Sequence, residues 1–206
     1  MAVTHYDFAG KAAVFANDHF TYNGETIRYK DIVMVKNHHS KGYFQFILIR
    51  TDTSILQTII KLKNGRTIIL EQKGFSFWGI GTNGVTKRKW RDMSETLKQY
   101  VAPYIAARYA KDIQEKGYIN LYDMFRIDKT GVTKIAKSHN GEQLLLANYG
   151  RAEIRNSGSL RIWDASGKEF TMYMFYSLDV SNENVVAMPI LLEHLYKGVQ
   201  LPNIDE

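Results

Sequence analysis

Cysteine is absent from this 206-residue chain, which excludes disulfide frameworks, Cys-ligated zinc, iron–sulfur clusters and thiol nucleophiles. Proline occurs three times, so few positions forbid a continued strand or helix. No segment approaches the ~18 uninterrupted apolar residues of a spanning helix, the densest run being Phe44-Gln-Phe-Ile-Leu-Ile49. Met1 to Gly10 carries neither a basic leader nor the apolar core of a secretory signal. The chain therefore reads as soluble and cytoplasmic, with no transmembrane segment. The six histidines show no H-x-H or H-x-x-x-H spacing, and no metal site is expected. What is present is an ordinary globular balance, 45% apolar and 23% charged, with 13 Tyr, 10 Phe and 3 Trp. Such aromatic content favours half-buried strands. At roughly 150 residues per domain, the length allows one large unit or two small ones.

Charge separates the two halves. Residues 1–110 hold 16 Lys+Arg against 8 Asp+Glu, whereas residues 111–206 hold 11 against 13. The basic character of the whole, +6, is thus confined to the first half, where it attracts phosphates, acidic lipids or acidic proteins.

Strand signals dominate the first 90 residues. Asn23-Gly24 stands between Phe20-Thr-Tyr22 and Thr26–Lys30, a pair that tolerates two positive φ angles and so closes a two-residue hairpin. Asn64-Gly65 repeats the pattern between Thr58–Lys63 and Arg66–Glu71. Tyr43–Arg50 reads as a further strand, and Phe75–Ile80 with Val85–Trp90 as the two arms of a hairpin about Gly81-Thr-Asn-Gly84. The period then changes: Met93, Leu97, Tyr100, Val101, Tyr104, Ile105 and Arg108 share one helical stripe. Asp92 and Glu95 are placed to cap its start, Pro103 to bend or split it, and Gly117 to stop it. Strands return at Tyr118–Ile127, Gly131–Ile135, Leu144–Leu146, Ala152–Arg155, Ser159–Trp163 and Glu169–Tyr176. A second amphipathic helix over about 184–197 carries Val185, Met188, Leu191, Leu192 and Leu195, with Gly198 as its C-terminal cap.

The same order of events occurs twice. Lys61–Leu70 and Arg161–Phe170 are each strand, glycine turn, strand, and each precedes a capped helix. This predicts an internal duplication, with a first unit over 1–116, containing an extra hairpin at 73–91 and a helix at 92–115, and a second unit over 117–206. A meander of about seven strands closed by one helix, with Tyr29-Lys-Asp-Ile32 on an early strand and Asn64-Gly65 in a later hairpin, resembles the pleckstrin-homology-like (PH-like) superfamily, especially its short bacterial members. In the second copy Leu144–Tyr149 departs from the Asp-Ile pattern. The resemblance implies a mainly β, α+β fold of two units, each an antiparallel meander or barrel closed by a C-terminal amphipathic helix. It also implies a non-enzymatic binding or scaffold protein without cofactor, contacting a protein partner or an anionic surface through its basic first unit.

No residue is nominated as catalytic. Gly79-Ile-Gly-Thr-Asn-Gly84 fits G-x-G-x-x-G, but it reads as a hairpin tip, and no acidic residue follows at the distance of a dinucleotide site. Gly74–Gly79 misses the nucleophile-elbow spacing by one residue. The feature above background is the combination of Phe75, Phe77 and Trp78 with Lys87, Arg88, Lys89 and Arg91 on one glycine-rich hairpin. Aromatics there can enter a membrane interface or stack on bases while the cations meet phosphates. The candidate ligand-binding residues are Phe77, Trp78, Lys87, Arg88, Lys89 and Arg91. Two alternatives are nucleic-acid binding by the hairpin 75–91 and a small enzyme with a site between the two units.

Overall fold

The computed structural model describes residues 4–8, 11–46, 49–77, 80–122, 124–135, 141–155, 158–170 and 183–205. The chain forms two compact units, Met1–Val101 and Ala102–Glu206, and its strand pairings are antiparallel throughout the four described sheets. The class is mainly β with helices, as the alternating sequence requires.

The first unit opens with a four-stranded meander, β1 (Thr4–Phe8), β2 (Lys11–Phe15), β3 (His19–Tyr22) and β4 (Glu25–Arg28). Asn23 and Gly24 take φ of 51° and 81° in the β3–β4 turn, as their sequence demands. Inward residues stack in a column: Phe15 on Phe20 at 5.3 Å, Phe20 on Tyr29 at 6.4 Å, and Tyr29 on Tyr100 at 6.0 Å. Tyr29 stands in a 3₁₀ turn (Tyr29–Asp31), and its buried hydroxyl donates to the Ala16 carbonyl at 2.6 Å. A second sheet follows, with β5 (Ile32–Phe46), β6 (Ile49–Leu62), β7 (Thr67–Phe77) and the short β8 (Ile80–Gly81) in that order. Helix α1 (Asn83–Tyr100) covers one face of it. Val35, Ile60, Ile68 and Leu70 from the sheet meet Met93, Leu97 and Val101 from the helical run, all fully or nearly fully buried.

In the second unit α2 (Ala102–Lys116) is followed by the meander β9 (Tyr118–Leu121), β10 (Phe125–Asp128), β11 (Gly131–Lys134) and β12 (Gln143–Leu145). A 3₁₀ turn (Leu146–Asn148) leads into the pair β13 (Tyr149–Ile154) and β14 (Leu160–Asp164), and α3 (Met188–Lys197) closes the unit. Ile105, Ala106, Ala110 and Ile113 of α2 pack toward α3, whose buried face is Met188, Leu191 and Leu192. Gly198 caps α3 at φ 68°, its N–H bonding the His194 carbonyl at 2.9 Å.

Among the described residues the two units share a four-stranded meander, a 3₁₀ turn, an antiparallel strand pair followed by a glycine turn, and a later helix, while α2 precedes this series in the second unit and β7 and β8 extend the second sheet of the first. The match extends to single bonds. Lys63 N–H donates to the Asp31 carbonyl at 2.8 Å in the first unit, and Ala165 N–H to the Asn148 carbonyl at 2.8 Å in the second. Leu62 N–H to Arg66 and Asp164 N–H to Lys168, both 2.9 Å, close turns with Gly65 and Gly167 at φ 83° and 85°. The Leu144–Tyr149 segment, which departs from the Asp-Ile pattern in sequence, therefore adopts the same turn as Tyr29–Ile32.

Several expectations are corrected. Val85–Trp90 is helical, so no hairpin spans 75–91, and the helix expected from Asp92 begins at Asn83. The inward positions Thr86, Trp90, Met93 and Leu97 extend the helical period upstream, where it overrides the local alternation of Val85, Lys87 and Lys89. The helical run breaks at Val101, with Pro103 as the second residue of α2, so its ring meets no carbonyl of a continuous helix. The boundary moves from 116/117 to Val101/Ala102 because α2 buries its apolar face among α3 and β9. Tyr43–Arg50 is not one strand, since Phe46 at the end of β5 pairs with Ile49 at the start of β6. The expected strand at Glu169–Tyr176 lies mostly outside the described residues, and of it only the bridge from Trp163 to Glu169 is described.

Candidate functional site: the extended ribbon of the first unit

Among the described residues, one difference between the units lies in the strands that follow the 3₁₀ turn. Between the 3₁₀ turn and the glycine turn the second unit places Tyr149 opposite Asp164, and the first places Ile32 opposite Leu62. The separation doubles, because β5 and β6 run 15 and 14 residues where β13 and β14 run 6 and 5. The added length forms a ribbon that continues past the core, and β7 follows it to Phe77.

Register fixes what each row of the ribbon presents. On the face toward α1, the row Val35, Ile60, Ile68 is apolar, and the next is Asn37, Thr58, Leu70. Beyond these come His39, Leu56, Gln72, then Lys41, Ser54, Gly74, then Asp52 with Ser76. The face thus changes from apolar to polar within about four rows, although Leu56, Ser54 and Ser76 remain buried. Thr58 donates to the Asn37 side-chain oxygen at 2.5 Å and touches Met93 Sδ at 3.6 Å. The opposite face is solvated and aromatic: Phe44, Phe75 and Phe77 are 63%, 50% and 47% exposed. Phe44 and Phe77 flank Thr51 in one row, with Phe75 beside Thr53 in the next.

The chain enters α1 through a tight reversal. Gly81 has φ 149°, and a Cβ there would lie 2.3 Å from the Phe75 carbonyl oxygen. Thr82 bonds the same residue twice, its N–H donating to the Phe75 carbonyl at 2.6 Å and its hydroxyl accepting from the Phe75 N–H at 2.9 Å. Gly81-Thr-Asn-Gly84 therefore leads from a strand into a helix, as a dinucleotide loop does. Here, however, the strand is antiparallel and Thr82 turns its polar groups back to Phe75 rather than toward a ligand.

On α1, Thr86 donates to the Lys73 carbonyl at 3.0 Å and anchors the helix start to β7. That fixes Lys87, Arg88, Lys89 and Arg91 as exposed. Lys87, Arg88 and Lys89 form no ion pair with a described residue, and Arg91 approaches Asp92 at 3.9 Å. No protein-family model, curated protein or solved structure matches this chain. The chemistry of the ribbon must be read from its own geometry.

A hollow of about 370 Å³ lies where the ribbon meets α1, lined by Lys41, Arg50, Asp52, Ser54, Ser76 and Lys87 among others. The Arg50 Nε reaches Asp52 Oδ1 at 3.1 Å, and Ser54 and Ser76 are buried. His39 has its pKa lowered, first by burial and then by Lys41, Lys87 and His38. Of the residues proposed from sequence, Phe77 is exposed on the aromatic face, and the four cations share a helix rather than a strand arm. Trp78 lies outside the described residues. Sequence reasoning missed Lys41, Arg50 and Phe44, whose signal was the length of β5 and β6. Among the described residues, no helix is long and apolar enough to cross a membrane, and no group of three or more His, Asp or Glu could hold a metal.

Proposed function

We propose that this chain is a non-enzymatic binding protein of two PH-like units whose first unit docks onto an anionic lipid surface. The observation that carries the reading is the ribbon extension, which has no counterpart between β13 and β14 and which presents solvent-facing Phe44, Phe75 and Phe77 on one face, while the exposed cations of α1 lie on the other side at the same end. Lys87 and Arg91 are four apart on an exposed helix face, a like-charge spacing that costs roughly 0.2–0.5 kcal/mol. That spacing opposes folding slightly, whereas each cation near an anionic membrane contributes about 1 kcal/mol. Aromatic rings at the same end suit the interface between headgroups and acyl chains. The repeated order of meander, 3₁₀ turn, hairpin and helix supports the PH-like assignment.

The test replaces Lys87, Arg88 and Lys89 together by Ala and measures cosedimentation with vesicles containing phosphatidylserine at two salt concentrations. Loss of three cations weakens binding by about 3 kcal/mol, or roughly 100-fold, with thermal stability unchanged or slightly raised. Wild-type protein that ignores acidic vesicles but binds single-stranded DNA with a steep salt dependence would transfer the surface to nucleic acid.

A further inference from the structure

The geometry points to a pocket for a dianionic phosphate monoester at the ribbon's junction with α1, held by Lys41, Arg50 and Lys87. The inference rests on the anionic-surface reading and narrows it to one headgroup chemistry. Three cations arrive from three elements, β5, β6 and α1, around one hollow of about 370 Å³. That volume suits a small ligand and is too compact to follow a polymer backbone through successive phosphates.

The charge balance selects the ligand. Asp52 offsets one of the three cations and orients it, its carboxylate accepting from Arg50 Nε at 3.1 Å. The remaining charge of about two matches a phosphate monoester, which carries roughly −1.5 to −2 near pH 7. A phosphodiester or a carboxylate, with one charge, leaves a cation unbalanced in a half-enclosed site. The buried Ser54 and Ser76 add hydroxyls to the lining, and such groups complement phosphate oxygens. His39, one row from Lys41 on the same face, is held toward its neutral form first by burial and then by Lys41 and Lys87. Lys41, Arg50 and Asp52 all belong to the part of the hairpin that has no counterpart in the second unit, so the fold does not explain them.

The experiment compares the full chain on phosphatidylcholine vesicles carrying phosphatidic acid, a monoester, with vesicles carrying phosphatidylserine at equal surface potential. Phosphatidic acid should bind about tenfold more tightly, the worth of one additional charge-assisted contact. Lys41→Ala and Arg50→Ala, both exposed positions, should each weaken binding to either acidic lipid by roughly fivefold as lost surface cations and should in addition erase the preference for phosphatidic acid, with the thermal midpoint largely in place. Asp52→Asn keeps an acceptor for Arg50 but removes the opposing charge, so it should strengthen phosphatidic acid binding. Calorimetry with glycerol 3-phosphate separates two sources of the same chemistry. Lys41-dependent binding in free solution assigns a soluble monoester, and binding confined to vesicles assigns a lipid headgroup; both support the pocket. Equal binding to the two acidic lipids, or a preference that survives Lys41→Ala and Arg50→Ala, overturns the pocket and leaves the anionic-surface reading standing. No binding to either vesicle or to glycerol 3-phosphate overturns both.

Discussion

Lys87→Glu should make this protein more stable and less able to bind, two effects with one cause. Lys87 and Arg91 are both exposed on α1 and stand four residues apart. As like charges they cost roughly 0.2–0.5 kcal/mol, and as Glu and Arg in that order they gain about as much. The swing is therefore about 0.4–1 kcal/mol in favour of the folded state. For a unit the size of Met1–Val101, each kcal/mol moves Tm by roughly 4–8 °C, so the melt should shift upward by about 2–8 °C. The rise should shrink in 0.5 M salt, where the Debye length falls well below that at physiological ionic strength. Binding moves the other way. Reversing one charge near an acidic membrane removes about 2 kcal/mol, or roughly 30-fold in affinity. Circular dichroism melts and vesicle sedimentation on one preparation read both quantities. A lowered Tm together with unchanged vesicle binding would refute the placement of Lys87 on an exposed helix face with Arg91 as its neighbour.

Leu97 is fully buried beneath α1, and Leu97→Ala should cost ~2–5 kcal/mol in denaturant unfolding; a loss below about 1 kcal/mol would place the helix away from the sheet. Gly81→Ala must move a Cβ off the Phe75 carbonyl and leave φ 149°, so destabilisation of more than about 1 kcal/mol is expected, read by chemical unfolding. His39 has a folded pKa below its unfolded value; the folded state binds fewer protons, and its contribution to stability falls as pH drops from about 6.5 through the folded value. Lys87→Ala should lift that titration in proton NMR, and an unmoved His39 resonance would separate the two residues. Asp164 carries the same sign at lower pH in the second unit: hydrogen bonds from Ser166 lead the causes that lower its pKa, so its stabilisation is present above the ordinary carboxylate range and is lost on acidification, and Asp164→Asn should flatten that part of an acid titration.

Glycine turns and helix ends were the legible part of the sequence. Asn23-Gly24, Asn64-Gly65, Asp164–Gly167, Gly117 and Gly198 each mark a local backbone requirement, and local requirements are written in adjacent residues. β5 was not legible because Lys36-Asn-His-His-Ser-Lys-Gly42 has no strand propensity of its own. Its conformation is imposed by pairing with Ser54–Ile59, twelve or more residues distant in sequence. The start of α1 was misread for a related reason. Lys87, Lys89 and Arg91 alternate as a strand would, and only the contacts of Thr86 with Lys73 and of Met93 with Thr58 decide between the two periods. The candidate site follows the same division. The α1 cations are contiguous and were found, whereas Lys41 and Arg50 reach their hollow only through the register of a long hairpin.

A ribbon rooted in a core and reaching out to exposed Phe44 and Arg50 also sets an order of opening. Amide protons in the rows of Val35 and Ile60 are protected by buried neighbours and should exchange only when the whole unit unfolds, whereas rows toward Phe44 and Arg50 can fray alone. Hydrogen exchange along β5 and β6 should therefore accelerate in steps toward the tip. A bound headgroup gripping Lys41 and Arg50 would slow those outer rows selectively, since a ligand held only by the closed form raises the free energy of opening it. The segment that meets the ligand is thus the one whose local stability the ligand can most readily change, and the core rows beneath it would not register the event.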